Sequence, residues 1–296
     1  MSLEIGFIGL GAMGFPIAAN LAAAGFPLTA WNRTPSKALA LAGKGVRIAE
    51  RPEDTARAGG VVISMVADDA ALESLELGDT AIVRRIAPGG IHLSMSTVAP
   101  ATIRRLAEVY SEAGSTLVAA PVFGRPDAAA AKKLWVCVSG AADAKQKVRP
   151  ILDAIGQAVF DFGVAPEAAC VAKISGNFLL AAAMEAMGEA FAMAEKSGLE
   201  RGAVAAMLTQ TIFACPAYQG YGKAIAERRH SPAGFRLPLG LKDIELVLAT
   251  AREVGAPMPA ASLVRDRLVH ALAMGRGELD WSALAMGARD DAGLKD

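Results

Sequence analysis

Cysteine is scarce in this chain. The 296 residues include three, Cys137, Cys170 and Cys215, far apart and without metal-ligand spacing, a usage that argues against a disulfide framework and suits a reducing cytoplasm. Histidine is equally rare. His92, His230 and His270 are scattered, and none stands at ligand spacing with another His, Cys or carboxylate, so no metal site is expected. Neither sign of charge dominates: Lys+Arg and Asp+Glu each number 30, with no basic tract, which argues against nucleic acid and anionic membranes and leaves a small molecule as partner. Long uninterrupted apolar runs are missing too. The longest, 178–194, is broken by Glu185 and Glu189, so no membrane span is expected. A cleavable leader is not expected either, because Glu4 and Gly6 stand where its apolar core would begin.

The length exceeds what one compact core usually organises, so two domains are expected, at 1–165 and 166–296. In the first, β-prone runs ("LEIGFI", "FPLTAW", "GGVVISMV", "GIHLSM", "STLVAAPV", "KLWVCVSG") alternate with helical stretches at 16–24, 35–41, 54–57 and 101–113. That alternation predicts a mostly parallel sheet covered on both faces, a doubly wound α/β domain of Rossmann type. After Pro166 the β signal ends. A long helical pattern runs over 167–197 and stops at Gly198, and helices follow with breaks at Pro216, 231–234 and 257–259, so the second domain reads as all-α.

The stretch "EIGFIGLGAMGFPIAANLAAAG" opens at Glu4 with Gly9, Gly11 and Gly14 between an apolar run and an alanine-rich helical segment. In a strand–turn–helix unit the first glycine allows the tight turn, the second lets a pyrophosphate approach the backbone, and the third lets helix and strand pack closely. The helix N-terminus then offers unpaired N–H groups to the phosphates. The motif by itself is also compatible with a glycine-rich turn that binds nothing; its position after a strand and before a helix selects dinucleotide binding, through Gly9, Leu10, Gly11, Ala12, Met13 and Gly14. At the end of the second strand, "WNRTPSK" has Asn32, Arg33 and Thr34 and no carboxylate. An acid there would accept from a ribose 2′-hydroxyl, whereas an arginine accommodates a 2′-phosphate, so NADPH is expected over NADH. The plainer alternative is that Arg33 is a solvated turn residue.

In "EAACVAKISGNFLLAAAMEAM", Lys173 has neighbours that are nearly all apolar or small, and Asn177 lies four residues on, on the same helix face. Gly176 removes a side chain between them. A lysine in this setting loses part of its preference for the charged form and can exchange a proton; it is equally readable as a snorkelling lysine at a helix start. Tyr218 and Tyr221 read as core residues with the alternative of lining a substrate pocket, the basic run 226–230 ("AERRH") as a solvated helix end, and Asp280 as a cap with Trp281 packing.

Five ordered segments, "GFIGLGAMGFPIAANL", "STVAP" (96–100), "APVFGRP" (120–126), "KISGN" (173–177) and "LGLKD" (239–243), resemble the β-hydroxyacid dehydrogenase family over nearly the whole chain. That family includes 3-hydroxyisobutyrate dehydrogenases and glyoxylate/succinic semialdehyde reductases; its first domain is 6-phosphogluconate dehydrogenase-like, and imine reductases are relatives. The resemblance implies an NADPH-dependent oxidoreductase of small carbonyl compounds or hydroxy acids, with Lys173 as general acid/base, Asn177 as its helper and an active site in a cleft between the domains. It also implies Met65, Val66 and Ala67 beneath the adenosine side of the cofactor, Thr97 and Lys242 near the nicotinamide, and a homodimer or higher oligomer formed through the second domain. Asp243 is expected to be structural. Two departures stand out. Phe123-Gly124 replaces a Ser-Gly pair that holds a substrate carboxylate, leaving Phe123 to shape the pocket and Gly124 to offer its backbone N–H, and Ser94 stands where Asp is frequent. Two rivals follow: an imine reductase, which usually has another proton donor at the position of Lys173, and a non-catalytic dehydrogenase-like binding module.

Overall fold

The computed structural model describes residues 3–76, 78 and 81–294. The chain divides into two compact units, Met1–Lys173 and Ile174–Asp296.

In the first unit the strands are β1 (Ile5–Ile8), β2 (Leu28–Trp31), β3 (Arg47–Ile48), β4 (Val61–Ser64), β5 (Ile91–Ser94), β6 (Thr116–Ala119), β7 (Val122–Phe123), β8 (Leu134–Val138) and β9 (Gly156–Asp161). Between them lie α1 (Gly14–Ala23), α2 (Pro35–Ala42), α3 (Asp69–Glu76), α4 (Ile82–Ile86), α5 (Pro100–Glu112), α6 (Pro126–Ala130) and α7 (Ala142–Asp153). Six strands form a parallel sheet in the order β3-β2-β1-β4-β5-β6, the arrangement of a doubly wound dinucleotide-binding domain. Successive residues of a strand face opposite sides. Ile5, Phe7, Ile63 and Leu93 therefore enter one core with Ile17 and Leu21 of α1, while Ile8 and Val62 enter another with Leu72, Ile103 and Leu106.

The strands at the far end of the first unit differ from those expected. "STLVAAPV" is two strands, and "KLWVCVSG" belongs to a second sheet, β7-β8-β9, in which β7 and β8 are antiparallel. The segment 54–57 forms a 3-10 turn, Pro52–Thr55, and β3, β9, α3, α4, α6 and α7 add to the elements expected.

One polar chain crosses the second core. His92 sits in β5 where alternation calls for an apolar side chain; its Nε2 lies 2.8 Å from Ser64 Oγ and its Nδ1 3.2 Å from Glu76 Oε1. Tyr110 O–H donates to Glu76 Oε2, and all four residues are buried. Burial raises the Glu76 carboxyl to about 8, against the lowering effect of the Tyr110 hydrogen bond, and burial lowers the His92 imidazole to about 3. Both groups are therefore neutral at pH 7.

The helix α8 (Ala168–Lys196) begins in the first unit, where Ala169 N–H donates to Ser139 Oγ at 2.9 Å, and it continues as the central helix of the second. By length and composition it is apolar enough to cross a membrane, with a mean hydropathy of 1.2, yet 44% of that window is buried within the protein and Glu185 pairs with Arg267 at 2.7 Å. Around it lie α9 (Arg201–Gln210), α10 (Pro216–Ala226), α11 (Leu237–Glu253), α12 (Pro259–Ala273) and α13 (Met286–Asp291). Their core joins Met184, Met187 and Phe191 of α8 with Leu237, Leu268, Trp281 and Leu284. Pro216 and Pro259 open α10 and α12 as first helical residues, where a missing N–H costs nothing. Asp280 caps a 3-10 turn, Trp281–Ala285, and its other oxygen accepts from Gly234 and Phe235 N–H.

Candidate active site

The three glycines do three different jobs. Gly9 has φ +95°, and a Cβ there would lie 2.3 Å from the Met65 carbonyl oxygen. At Gly14 a Cβ would meet the Gly9 carbonyl oxygen at 1.9 Å and the Phe7 ring at 3.2 Å, so only glycine lets α1 start against β1. Gly11 is bare: a Cβ would have no atom within 4 Å. The close approach at Gly9 and Gly14 is thus structural, while the backbone at Gly11 is open to a ligand at the start of α1. A nicotinamide dinucleotide fits this loop.

Asn32 braces the loop from the end of β2. Its Oδ1 accepts from Leu10 N–H at 2.8 Å, and its Nδ2 donates to the Thr34 carbonyl at 3.0 Å. Arg33 and Thr34 follow it on the surface. The loop after β4, carrying Met65, Val66 and Ala67, is tied to the loop after β5 because Ser96 Oγ accepts from Val66 N–H at 2.8 Å. Asp69 Oδ1 accepts from Ala99 N–H at 2.9 Å, so α3 and α5 are joined at the same end of the sheet as the glycine loop, with half-buried Thr97 between Ser96 and Ala99. The ties made by Ser96 and Asp69 were not expected from the sequence, where only Ser94 stood out as a departure. The Ser94 Oγ is buried and has no hydrogen-bond partner among the described residues.

Lys173 is the last residue of the first unit, 8% exposed, with its Nζ 4.0 Å from the centre of the Phe123 ring. Phe123 is placed by β7, in register with Trp135 of β8. Burial raises the thiol of Cys137, also in β8, and the charge of Lys173 opposes that rise. Gly124 has φ +140°, and a Cβ there would lie 2.6 Å from Leu134 Cδ2, so a glycine is required whatever its N–H contacts.

In the second unit, buried Asn177 donates from Nδ2 to Asp243 Oδ2 at 2.5 Å. Lys242 Nζ lies 2.9 Å from Asp243 Oδ1, a charge contact without hydrogen-bond geometry. Asp243 thus joins the asparagine of α8 to the lysine of α11. Tyr221 accepts at its hydroxyl from Trp281 Nε1 at 3.0 Å, and Tyr218 stacks on Phe213 at 4.9 Å, so both tyrosines pack within the helical unit. Among the described residues no group of three or more His, Cys, Asp or Glu could hold a metal. A cavity of about 430 Å³ in the first unit has Arg47, Glu50, Glu53, Arg57 and Arg85 in its lining and includes none of the expected site residues.

Residues 4–163 match the family described as the NAD binding domain of 6-phosphogluconate dehydrogenase, and residues 168–286 that described as NAD-binding of NADP-dependent 3-hydroxyisobutyrate dehydrogenase. The uncharacterized oxidoreductase YfjR of Bacillus subtilis is 42% identical over 282 residues, covering 95% of this chain and 98% of that protein. The 3-hydroxyisobutyrate dehydrogenase of Pseudomonas aeruginosa is 35% identical over 289 residues, covering 95% and 97%. Among solved structures, the 3-hydroxyisobutyrate dehydrogenase of Mycobacterium tuberculosis with L-serine superposes with a TM-score of 0.87 at 28% identity, covering 98% of this chain and all of that one. Both halves match in order and at nearly full length, and this chain therefore belongs to the 3-hydroxyisobutyrate dehydrogenase-like family of NAD(P)-binding oxidoreductases, the β-hydroxyacid dehydrogenases.

Proposed function

We propose that the chain is an NADPH-dependent reductase of a small carbonyl compound, running in reverse as a hydroxy-acid dehydrogenase, with Lys173 as its general acid. The observation that carries this reading is the placement of Lys173: a buried ammonium held on the face of Phe123, one helical turn before Asn177. When bound, the nicotinamide supplies or accepts a hydride. As the carbonyl carbon gains that hydride and the π pair moves to oxygen, the Lys173 Nζ–H bond breaks and an O–H bond forms, leaving an alcohol and a neutral amine. In the other direction the neutral amine takes the hydroxyl proton. Asn177, held by Asp243, orients the substrate oxygen, and Lys242 supports the nicotinamide side. The preference for NADPH rests on Arg33 and on the absence of a carboxylate at the end of β2, since Asn32 is already engaged with Leu10 and Thr34. Three free cysteines suit a reducing compartment.

Phe123 favours a second reading. A ring in place of a hydroxyl donor weakens carboxylate recognition and admits an apolar substrate or a cyclic imine. A turnover screen with NADPH against aldehydes, semialdehydes, β-keto acids and cyclic imines separates the two. Carbonyl reduction abolished by Lys173→Ala supports the first reading; imine reduction that survives the substitution overturns it.

A further inference from the structure

The small sheet β7-β8-β9 has two unlike faces. Val122, Leu134, Val136 and Val138 enter the first core, with Val159 packed against it, and by strand alternation the residues between them stand on the other face. There Phe123 is directly opposite Trp135 across the antiparallel β7–β8 pair, and Trp135 is opposite Ala158 across the parallel β8–β9 pair. One row of this face therefore carries a ring, a second ring and a methyl group. Strands lie about 4.8 Å apart, so the row spans about 10 Å.

Lys173 stands over the same face. Its Nζ lies 4.0 Å from the centre of the Phe123 ring. Burial raises the thiol of Cys137, the next residue of β8 on this face, and the charge of Lys173 opposes that rise, so two face neighbours of Trp135 lie in the field of one ammonium. The ammonium takes one side of the Phe123 ring. Trp135 is left 39% exposed, and among the described residues no hydrogen bond or ring contact engages its indole. Tryptophan is highly buried on average. Here a large ring is open to solvent one strand away from a buried ammonium.

We propose that Trp135 is a specificity-determining residue of the reductase, taking a planar aryl substituent of the carbonyl substrate while Lys173 meets the carbonyl oxygen. This rests on the reading of Lys173 as general acid. A carbonyl oxygen within hydrogen-bond reach of Nζ, about 3 Å, lets the rest of the substrate run along the row from Phe123 to Trp135, and the methyl of Ala158 leaves space at the far side of the indole. An aryl ring gains a stacked or edge-to-face contact there that a saturated ring of the same size does not make. Phe123 offers no hydroxyl to a carboxylate, which agrees with an uncharged substituent.

The pair 3-phenylpropanal and 3-cyclohexylpropanal tests the assignment, because two methylenes insulate the carbonyl and the substituents differ only in being flat or saturated. With NADPH the kcat/KM ratio should favour the phenyl compound by about three- to tenfold. Trp135→Leu should bring the ratio close to one and Trp135→Phe should keep it; a tryptophan of purely structural role would move both aldehydes alike. A second readout does not require proton donation. In the chain labelled with 5-fluorotryptophan, which has three tryptophans, fluorine NMR with Trp135→Phe identifies the Trp135 signal. Added with NADP+, 3-phenylpropan-1-ol should shift that signal more than 3-cyclohexylpropan-1-ol does, in the wild type and in Lys173→Ala alike, which keeps the test open if Trp135→Leu does not fold or neither aldehyde turns over. That shift together with aldehyde reduction surviving Lys173→Ala would remove the general acid and leave Trp135 in place. A ratio unchanged in Trp135→Leu, a Trp135 signal unmoved by the phenyl alcohol, or a light-scattering mass that falls in Trp135→Leu, which would make the ring a subunit contact, would each overturn the proposal.

Discussion

The Lys173 ammonium lies 4.0 Å from the centre of the Phe123 ring, close enough for the ring face to attract it. Such a contact is worth about 0.5–2 kcal/mol and favours the cation, the form from which a general acid donates. Lys173→Ala should leave dinucleotide binding nearly intact, because the glycine loop is built from β1, α1 and the ends of β2 and β4. The chemical step should slow by roughly two to four orders of magnitude. Lys173→Arg should also be poorly active, since arginine keeps the charge and does not release the proton. Single-turnover rates near wild type in both variants would make Lys173 a structural lysine.

Phe123 should set what the site accepts. Phe123→Ser introduces a hydroxyl donor and removes the ring. One hydrogen bond to a charged group is worth about 1.5–3 kcal/mol, so the kcat/KM ratio of a semialdehyde over its alkyl aldehyde counterpart should rise by about tenfold or more. An unchanged ratio would mean that Phe123 does not read the substrate.

Arg33 should choose the cofactor. Its guanidinium is exposed at the end of β2, where the proposed reading puts a 2′-phosphate, and the neighbouring Asn32 is tied to Leu10 N–H at 2.8 Å. Arg33→Ala should weaken NADPH by about 1.5–3 kcal/mol and NADH hardly at all. Equal weakening in a fluorescence titration would remove Arg33 from the 2′-phosphate site.

The parts legible in the sequence were those set by short-range chemistry. Gly14 is dictated by contacts within one strand–turn–helix unit and Gly9 by its own φ of +95°, and Gly198, which follows the end of α8, has φ +80°. The split after Ala119 was not legible, because "STLVAAPV" has no turn residue strong enough to mark where the chain leaves one sheet for another. β3 has two residues and β9 is mostly half-buried or exposed, so neither carries an apolar run. Ser96 and Asp69 act across the ends of β4 and β5, a juxtaposition that depends on strand order. His92 did leave a signal: in "GIHLSM" it stands between the apolar Ile91 and Leu93 of β5. Its partners Glu76 and Tyr110 lie 16 and 18 residues away in sequence, and only the packing of α3 and α5 on β5 joins them.

The helical unit should join a second copy of this chain. Along α8, Leu179 and Met193 are 65 and 69% exposed, and Ala182, Ala183, Ala186 and Ala190 continue the same stripe between them. A stripe of this kind on a long helix is apolar surface that a soluble chain usually covers. Light scattering at micromolar concentration should give at least twice the mass of the 30.4 kDa chain, and Leu179→Glu with Met193→Glu should reduce it to one copy. A monomeric wild-type mass would show that the stripe stays in water.

The buried chain from Ser64 to Tyr110 should give the protein a pH limit on its alkaline side. Glu76 is held at about 8 by burial, above the ordinary carboxyl value of 4.5, so the folded state keeps a proton that the unfolded chain loses. Its contribution is fully present below pH 4.5 and disappears as the pH rises through about 8. His92 acts in the opposite sense. Burial lowers it from 6.5 to about 3, so it stabilises the fold as the pH rises through that window and has no further effect above 6.5. The two slopes oppose each other between pH 4.5 and 6.5, and only the Glu76 effect remains above that, at up to about 1.4 kcal/mol per pH unit. A protonated Glu76 brings no charge to the core while its Oε2 accepts from Tyr110; an ionised one leaves a buried charge facing a neutral imidazole. Thermal melts should therefore show a falling Tm between pH 6.5 and 8.5 in the wild type. Glu76→Gln has a similar shape and no proton to lose, and it should flatten that fall. If the variant declines with pH as steeply as the wild type, Glu76 is not the titrating group.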